Sequence, residues 1–391
     1  MSTNRPRCSI CGNPTKKNGT TTKGTTRWRC IHCGASTSKT RPDITARTWM
    51  NEFISHLTSN KSIADIAAAR GTSPKTVHRH FQPLWLISVP QPHNHPVYDQ
   101  IFLDGTYLNG GCLLIAATRD YVLAWRWCKQ ETTYDYTQLI RDITPPLMAV
   151  IDGGNGAYTA MTSCWPQTPI QRCLVHVQRN TRRDITSRPR TPQGTIIYQL
   201  ALQLTRITTR EQADQWIDYL HQFTQDCNSW MNEKTTITDP LTGKKKKVFT
   251  HQRARRAFYR LYHLAKDGKL FAYLTPHPSA KNPEAFASTT NCLEGGINGP
   301  LKLIARQHHG RKGERQRTNI DWWLHFRTRD PLDPHIIAKQ QNWGKDSLAK
   351  VETLTPVNNN EANHQTGRPA LYDNHIDIEY THSVGIRKGT I

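Results

Sequence analysis

The sequence lacks any apolar run that approaches the ~18 residues of a membrane span. Its first residues, MSTNRPRCSICG, also lack the apolar core of a signal peptide. We therefore expect a cytoplasmic protein with no membrane partner. In a reducing compartment, its ten cysteines favour metal or core roles over disulfides. Apolar residues make up only 36% of the 391 residues, which favours several small domains over one compact globule.

Acidic residues are also few. The 30 Asp and Glu stand against 52 Lys and Arg, which gives a net charge of +22. Such a charge destabilises a compact chain by self-repulsion and is typical of proteins with a polyanionic partner. Nucleic acid is the obvious partner, because neutralised phosphates release counterions. The alternatives are a solvated basic surface or a ribosome-bound protein.

The cysteines near the N-terminus form two C-x-x-C pairs. Cys8 and Cys11 are followed, after 18 residues, by Cys30 and Cys33. Four thiolates at this spacing can close a tetrahedron around one structural zinc ion, and they leave no open position for catalysis. A glycine follows each pair, where a turn of positive φ is easy to form. The stretch between the pairs suits a short hairpin, so we predict a zinc ribbon.

Residues 62–81, SIADIAAARGTSPKTVHRHF, have the pattern of a helix-turn-helix. Ser62 and Ser73 stand at two N-cap positions, Gly71 permits the turn between them, and Pro74 fits the first position of the second helix. Such a helix can enter the major groove of DNA. Four of its side chains are candidates for DNA contact: Lys75, Thr76, Arg79 and His80. An ordinary helical hairpin is the alternative.

The middle of the chain changes from β-rich to helical patterns. Short β-like runs occupy 97–104, 111–119, 121–128, 147–152 and 170–177, with a helical segment at 132–143. Residues 196–275 show helical spacing, interrupted by the basic turn DPLTGKKKK at 239–247. Two tryptophans in this helical part, Trp216 and Trp230, fit core packing, with base stacking as the alternative.

Two aspartates stand where β-like runs end. Asp104 ends one run and precedes Gly105, and Asp152 ends another and precedes Gly153. If the strands are neighbours, both carboxylates lie at one edge of the sheet, where a divalent cation would relieve their repulsion. Magnesium is suited, because it takes carboxylate oxygens and keeps water and phosphate as its other ligands. Glu294, in a stretch with few other acids, is the candidate for a third ligand; an exposed helical glutamate is the alternative.

Four segments carry a resemblance to a known family: FLDGTY (102–107), VIDGGNGAY (150–158), QRCLVHVQRN (171–180) and NCLEGGINGPLK (291–302). Together they resemble the Mutator-like superfamily of DDE transposases, in particular its bacterial insertion-sequence branch, over roughly residues 97–330. The resemblance implies an α/β fold with an RNase H-like core and a helical insertion. Here the zinc ribbon and the helix-turn-helix would precede that core. Many members lack the zinc ribbon, so recognition of the element ends could differ here.

The resemblance also implies roles for individual residues. The family's metal-binding triad falls on Asp104, Asp152 and Glu294, and its C-x-x-H pair falls on Cys173 and His176, which we expect to end the fifth strand. The spacing agrees, because 47 residues separate the two aspartates and 141 separate Asp152 from Glu294, which leaves room for the insertion.

These expectations divide the chain into six parts: a zinc ribbon (1–42), a helix-turn-helix domain (43–90), a first part of the core (97–185), a helical insertion (186–283), a second part of the core with the glutamate (284–345) and a polar tail, expected to be disordered (346–391).

The expected chemistry uses two Mg²⁺ or Mn²⁺ ions ~3.5–4 Å apart, one on each side of a scissile phosphodiester. Asp104 would bridge both ions, Asp152 and Glu294 would each hold one, and His176 would position phosphate or the attacking water. Basic side chains beside the acids would bind DNA phosphates; these are Arg172, Arg179, Arg182, Lys302 and Arg306.

The expected partners are double-stranded DNA, as element ends and target, and further copies of the chain, because joining two ends normally requires at least two protomers. Inside the cell we expect the protein at the nucleoid. A DNA-binding regulator is one alternative, but it leaves the acids at two strand ends unexplained. An RNase H-like nuclease or resolvase is another, but it would not need two separate DNA-reading modules.

Overall fold

The computed structural model describes residues 5–8, 10–38, 42–59, 61–93, 95–108, 111–240, 243–307 and 313–354. Across these ranges no helix has both the length and the apolar character needed to cross a membrane.

The N-terminal part begins with a small antiparallel sheet and continues with three helices. Its elements are β1 (Thr15–Thr20), β2 (Thr26–Cys30), β3 (Ser36–Ser38), α1 (Pro42–Thr58), α2 (Ile63–Ala69) and α3 (Pro74–Leu84). The helix caps follow the sequence. The Ser62 hydroxyl accepts from the Asp65 N–H at 3.1 Å, and Ser73 accepts from the Thr76 N–H at 3.2 Å. Gly71, between α2 and α3, has a φ of +58°. Glycine adopts this conformation readily because it has no Cβ.

The central sheet has five strands in the order β6-β5-β4-β7-β8. Its elements, with two helices, are β4 (Ile101–Leu108), β5 (Gly111–Ala117), β6 (Val122–Cys128), α4 (Thr133–Ile140), β7 (Ala149–Ile151), α5 (Asn155–Cys164) and β8 (Ile170–Arg172). β4, β5 and β6 are antiparallel neighbours, whereas β7 runs parallel to β4 and β8 runs parallel to β7. Both faces of the sheet are covered by apolar clusters, so its strands are almost entirely buried.

Two strand ends differ from the prediction. β4 does not end at Asp104, because it continues to Leu108 as a hairpin with β5; only its pairing with β7 stops at Leu103. The fifth strand is also shorter than predicted, because a helix begins at Leu174. Leu174, Val177 and Thr181 are buried at spacings of three and four residues, which is helical periodicity. Cys173 therefore precedes a helix, and His176 lies in its first turn.

The part of the chain that follows β8 is mainly helical, and within the predicted insertion (186–283) it contains a β-hairpin that the sequence analysis read as a turn. Its elements are α6 (Leu174–Ile185), α7 (Pro192–Gln203), α8 (Arg210–Asp226), α9 (Asn228–Asn232), β9 (Lys234–Thr238), β10 (Lys245–Phe249) and α10 (Gln252–Lys266). Asp239 and Lys244 close the hairpin, with the Asp239 N–H donating to the Lys244 carbonyl at 2.9 Å. The two strands are too short, and too polar, for periodicity to distinguish them from a loop.

The tryptophans of the insertion have packing roles. Trp216 is 2% exposed, and its indole N–H donates to the Leu200 carbonyl at 2.9 Å. Trp230 stacks on His251, with ring centroids 4.0 Å apart. The core-packing interpretation therefore holds for Trp216, and Trp230 already has an aromatic partner within the chain.

The last helices return to the N-terminal part. They are α11 (Asn291–Leu293), a π-helical turn (Glu294–Asn298), α12 (Gly299–Gln307), α13 (Glu314–His325), α14 (Pro334–Gln340) and α15 (Lys345–Leu354). Trp322, Ile337 and Trp343 join α1–α3 in one buried apolar cluster. The predicted polar tail is wrong at its start, because residues 345–354 form α15, which contacts α3. The rest of that tail, 355–391, lies outside the described residues.

The turn before α15 gives a test of this packing. Gly344 has a φ of +75°, and a Cβ at this position would lie 1.9 Å from the Pro83 carbonyl oxygen. Gly268 has a similar φ of +67° but no atom within 4 Å of such a Cβ. Both substitutions by alanine incur backbone strain of about 1–2 kcal/mol. We expect Gly344→Ala to lower the free energy of unfolding by about 1–3 kcal/mol more, because α3 must move.

Urea denaturation of the two variants measures this difference. Equal losses of stability would show that the C-terminal helices do not pack on α3 as described.

Candidate active site and cysteine cluster

The four N-terminal cysteines converge in space. Their sulfur atoms lie within 4.8 Å of one another, with separations of 3.6 Å for Cys8–Cys33, 3.5 Å for Cys11–Cys30 and 3.4 Å for Cys11–Cys33. A tetrahedral zinc ion with Zn–S bonds of ~2.3 Å requires sulfur separations of roughly 3.8 Å. The cluster therefore could hold one zinc ion with little movement.

The backbone around the cluster favours thiolates. The glycines that follow each pair have positive φ, +68° at Gly12 and +73° at Gly34. Hydrogen bonds from the backbone and side chain of Asn13, and then from Cys33, lower the pKa of Cys11 to about 6. The Cys11 thiol is thus ready to lose its proton to a metal ion near neutral pH.

A metal analysis tests the cluster. We expect one zinc ion per chain in the purified protein and a loss of that zinc in Cys11→Ser, because three thiolates close no four-sulfur site. Cys227→Ser is the matched control, because Cys227 lies outside the four-cysteine cluster, at the N-cap of α9. This variant should keep its zinc. Mass-spectrometric metal analysis after dialysis against a weak chelator gives the measurement. Full zinc in Cys11→Ser would rule out the four-cysteine site.

Asp104 is the most buried acid at the edge of the central sheet, with 7% of its surface exposed. One carboxylate oxygen accepts the Gly105 N–H at 3.0 Å, and the other accepts the Asn298 side-chain amide at 2.7 Å. Burial, followed by the charge of Asp152, raises the pKa of Asp104 to about 6. The two aspartates predicted from the sequence are therefore close enough to repel each other.

Asp152 follows β7 on the neighbouring strand, in a turn that depends on glycine. Its carboxylate accepts the Gly154 N–H at 2.9 Å. Its carbonyl accepts the Arg172 guanidinium, also at 2.9 Å. Gly153 has a φ of +107°, and a Cβ there would lie 1.4 Å from Arg172 Nη2. Arg172, which the sequence predicts to bind DNA phosphate, packs against this turn and fixes the backbone that presents Asp152.

Glu294 and Asn298 share the π-helical turn between α11 and α12. Such turns are rare and occur frequently at functional sites. Because Asn298 donates to Asp104, the turn lies directly against β4, as a helix that crosses the sheet edge should. The role of Asn298 was missed in the sequence, where nothing distinguishes its amide from an exposed one.

The Glu294 carboxylate is engaged by α6. Both of its oxygens accept the Arg179 guanidinium, at 2.7 and 2.9 Å, and His176 Nε2 lies 3.5 Å from one of them. The pKa of Glu294 is lowered, because these hydrogen bonds and charges outweigh its burial. Arg179, predicted to bind DNA, is thus part of the acidic site.

Cys173 and His176 lie between the two halves of the site. The buried Cys173 sulfur accepts the N–H and the hydroxyl of Thr290, each at 3.3 Å, just before α11. Burial opposes ionisation of Cys173, but hydrogen bonds from His176 and Thr290 outweigh it and lower its pKa. The pKa of His176 is raised, chiefly by Cys173 and also by Asp152 and Asp104. The C-x-x-H pair therefore connects the Glu294 segment to the aspartates.

A further acid, Glu131, was missed in the sequence. A Cβ on Gly105 would lie 2.6 Å from the Glu131 carboxyl carbon, so this glycine makes room for it. Tyr136 donates to Glu131 at 3.0 Å. Burial, opposed by Tyr136 and assisted by Asp152, raises the pKa of Glu131. Since neighbouring residues of a strand face opposite sides, Glu131 lies across the sheet from the Asp104 side chain.

The donor set suits a divalent cation at the two aspartates. A buried carboxylate whose pKa is raised by a second carboxylate gains from a cation between them. The three predicted acids do not converge to within ligand distance of one another here: among the described residues, only the four cysteines form such a group of three or more. Glu294 is paired with Arg179.

The remaining predicted DNA-binding residues are divided between the two parts of the molecule. Lys75 and Arg79 are exposed on α3, and Thr76 is partly exposed. His80 differs, because its ring stacks on Trp49 with centroids 4.2 Å apart. On the helices around the acids, Arg182, Lys302 and Arg306 are exposed.

The raised pKa of Asp104 predicts a pH effect on stability in the absence of divalent ions. Between pH 3.8, the ordinary value, and about 6, the folded protein retains a proton that the unfolded chain has lost. Stability from this group is therefore full below the ordinary pKa and is lost as pH rises through about 6. Asp104→Asn removes that loss.

We thus expect Asp104→Asn to gain stability relative to the unsubstituted protein on going from pH 4 to pH 7. The gain is at most about 3 kcal/mol, since one pKa unit is worth about 1.4 kcal/mol. Chemical denaturation in chelator at the two pH values measures it. If the difference in stability between Asp104→Asn and the unsubstituted protein were the same at pH 4 and at pH 7, the raised pKa would be contradicted.

The comparisons with known proteins agree with the motifs. No curated protein matches the chain. The family model described as "Transposase, Mutator family" matches residues 140–253, a region that includes Asp152, Cys173 and His176. Asp104 and Glu294 lie outside the matched region. The match confirms, for residues 140–253, the resemblance to Mutator-family transposases seen in the sequence.

Proposed function

We propose that the protein is a DDE transposase, which binds the terminal repeats of a mobile element and catalyses metal-dependent strand cleavage and strand transfer. One observation carries this proposal: a buried aspartate on β4, Asp104, and an aspartate directly after the parallel neighbour β7, Asp152, each follow the last residue that pairs these two strands, Leu103 and Ile151, in a chain that matches the Mutator-family transposase model over residues 140–253. A regulator that only binds DNA has no need for this unfavourable arrangement.

The fold supports the proposal. Three antiparallel strands followed by two parallel strands, with Asp104 on the central strand and Asp152 after its parallel neighbour, are what we expect of an RNase H-like core. The helices from 174 to 266, which stand between Asp152 and Glu294 in the chain, form a separate apolar cluster that fits the insertion.

Asp104, Asp152 and Glu294 would hold two Mg²⁺ or Mn²⁺ ions. Bound there, the two ions supply Lewis-acid stabilisation for both the attacking and the leaving oxygen of the phosphodiester. In cleavage, a water oxygen forms a bond to phosphorus and the bond to the 3′-oxygen breaks, which leaves a 3′-hydroxyl. In strand transfer, that hydroxyl attacks a target phosphodiester, forms a new P–O bond and releases a 3′-hydroxyl on the target strand.

Glu294 must leave Arg179 before it can act with the aspartates. The Arg179 side chain is 56% exposed, so a DNA phosphate could compete for its guanidinium. His176 remains between the acids, where it can donate a hydrogen bond to a phosphate oxygen or orient the attacking water. Cys173 acts through a neighbour, because its sulfur anchors Thr290 just before α11.

DNA recognition is assigned to the N-terminal modules. We propose that the pair α2–α3 acts as a helix-turn-helix, with Lys75, Thr76 and Arg79 toward the DNA; His80 would support α3 through Trp49. The zinc ribbon adds a second basic contact, and Arg182, Lys302 and Arg306 would bind the backbone near the acids. The protein would act as a homo-oligomer on nucleoid DNA, because two element ends must meet.

A strand-transfer assay tests the central claim. A linear DNA that carries the element ends is incubated with protein and Mg²⁺ or Mn²⁺. We expect Asp152→Asn to lose cleavage and joining by at least about 100-fold, because the site loses a charged ligand. Asp218→Asn, which removes an exposed carboxylate from α8, is the matched control and should keep full activity.

The outcomes separate the candidate functions. Full activity in Asp152→Asn would exclude the catalytic assignment. Specific binding without cleavage by the unsubstituted protein would indicate a regulator, and cleavage without joining would indicate a nuclease or resolvase.

A further inference from the structure

The β-hairpin of the insertion is a basic element that the proposed mechanism does not use. β9 and β10 pair antiparallel from Lys234 opposite Phe249 to Thr238 opposite Lys245. All of β9 is exposed, as are Lys244–Lys247 on the other side. We call residues 234–240 and 243–249 the basic ribbon; Leu241 and Thr242 lie outside the described residues and are not part of it.

Of the lysines in the basic ribbon, Lys234 lies over the Phe249 ring at 5.2 Å, whereas the other four have no ion-pair partner in the described residues. Four of them are consecutive, Lys244–Lys247, and none forms a salt bridge with any acid in the described ranges. Charges of one sign on adjacent strand residues repel, and an isolated two-stranded ribbon is only marginally stable in water. The facing residues Thr235–Thr238 bring no negative charge. Such a sequence is expected where an outside polyanion supplies the missing charge.

The base of the basic ribbon, in contrast, is firmly held. His251 stacks on Trp230 and its Nε2 lies 3.0 Å from a Glu233 carboxylate oxygen. Arg255 lies over the Phe249 ring at 4.0 Å and donates to the Asn232 side chain at 2.8 Å. The ribbon therefore extends from α9 and α10 in a fixed direction instead of hanging from a loose loop.

The base also lies beside the helix that carries part of the acidic site. Arg253, in the first turn of α10, donates to the Arg183 carbonyl at 3.4 Å, near the end of α6. α6 also carries His176, Arg179 and the exposed Arg182. Basic residues thus continue from the acidic site along α6 to the ribbon, as they would beside DNA that leaves the site.

We infer that the basic ribbon binds duplex DNA by lying in a groove next to the cleavage site. This inference rests on the proposed function. A two-stranded ribbon fits the major groove, which is ~12 Å wide. Because successive strand residues face opposite sides, Lys245 and Lys247 share one face of the ribbon and Lys246 lies on the other. The long, flexible side chains of these lysines can extend past the edges of the ribbon to the phosphates that line the groove. The contacts are to phosphate, so they add affinity and orientation without reading sequence.

The test is the salt dependence of DNA binding by a triple variant, Lys245→Gln, Lys246→Gln and Lys247→Gln. The matched control is Lys339→Gln, Lys345→Gln and Lys350→Gln, which removes the same charge from exposed sites on α14 and α15. Both full-length variants are measured on one linear duplex between 50 and 300 mM salt. Unchanged circular dichroism and melting temperature serve as the folding check.

We expect the ribbon variant to bind at least about tenfold more weakly at 100 mM salt. Its slope of log affinity against log salt should fall by up to about 2.7, which is 0.9 for each of three lost phosphate contacts. The control should change much less in both. In the unsubstituted protein, DNA should also protect Lys244–Lys247 from acetylation, as read by mass spectrometry.

Equal slopes for the two triple variants, with the ribbon lysines still acetylated on bound DNA, would overturn the inference while leaving the transposase proposal intact. An equal loss on duplex RNA, whose major groove is too narrow for the ribbon, would overturn groove binding in favour of a general polyanion contact. Failure of the unsubstituted protein to bind any DNA would overturn both proposals.

Discussion

The repulsion between two carboxylates at one sheet edge is the constraint on which the account depends. Asp104 is buried where its charge is unfavourable, and Asp152 makes it more so. Two hydrogen bonds, from Gly105 and Asn298, only partly compensate. Natural proteins retain a buried charge of this kind when it binds a cation or a substrate, because apolar residues would otherwise stabilise the same place better. The strands, the glycine turn at 153 and Arg172 all serve to keep the two acids in position.

The helical segment that carries Glu294 is attached by two independent links, one to Asp104 and one to Cys173, the residue that follows β8. Asn298 binds Asp104 directly, and Thr290 binds the buried sulfur of Cys173. With both ends of the turn fixed, Glu294 is left with a choice of partners, and here it pairs with Arg179. The Arg179 side of this bidentate pair is 56% exposed, so a DNA phosphate can reach the guanidinium and compete with the carboxylate for it.

The parts of the fold and of the candidate sites that depend on local chemistry could be predicted from the sequence. The cysteine pairs, the caps at Ser62 and Ser73 and the β-rich centre depend on neighbouring residues, and they appear where expected. The failures are of another kind. The start of α6 at Leu174 and the basic ribbon lie in segments whose periodicity is too short to read. The sequence also does not show the contacts that Arg172, Arg179, Asn298 and Glu131 make. These contacts join parts of the chain that are distant in sequence.

The most direct test of the central claim is anomalous diffraction from Mn²⁺-soaked crystals of the protein bound to element-end DNA. The account predicts manganese against the carboxylates of Asp104 and Asp152, with Glu294 turned from Arg179 toward the ions and the guanidinium on a DNA phosphate. Manganese that binds elsewhere, with Asp104 still hydrogen-bonded only to Gly105 and Asn298 and Glu294 still paired with Arg179, would contradict it.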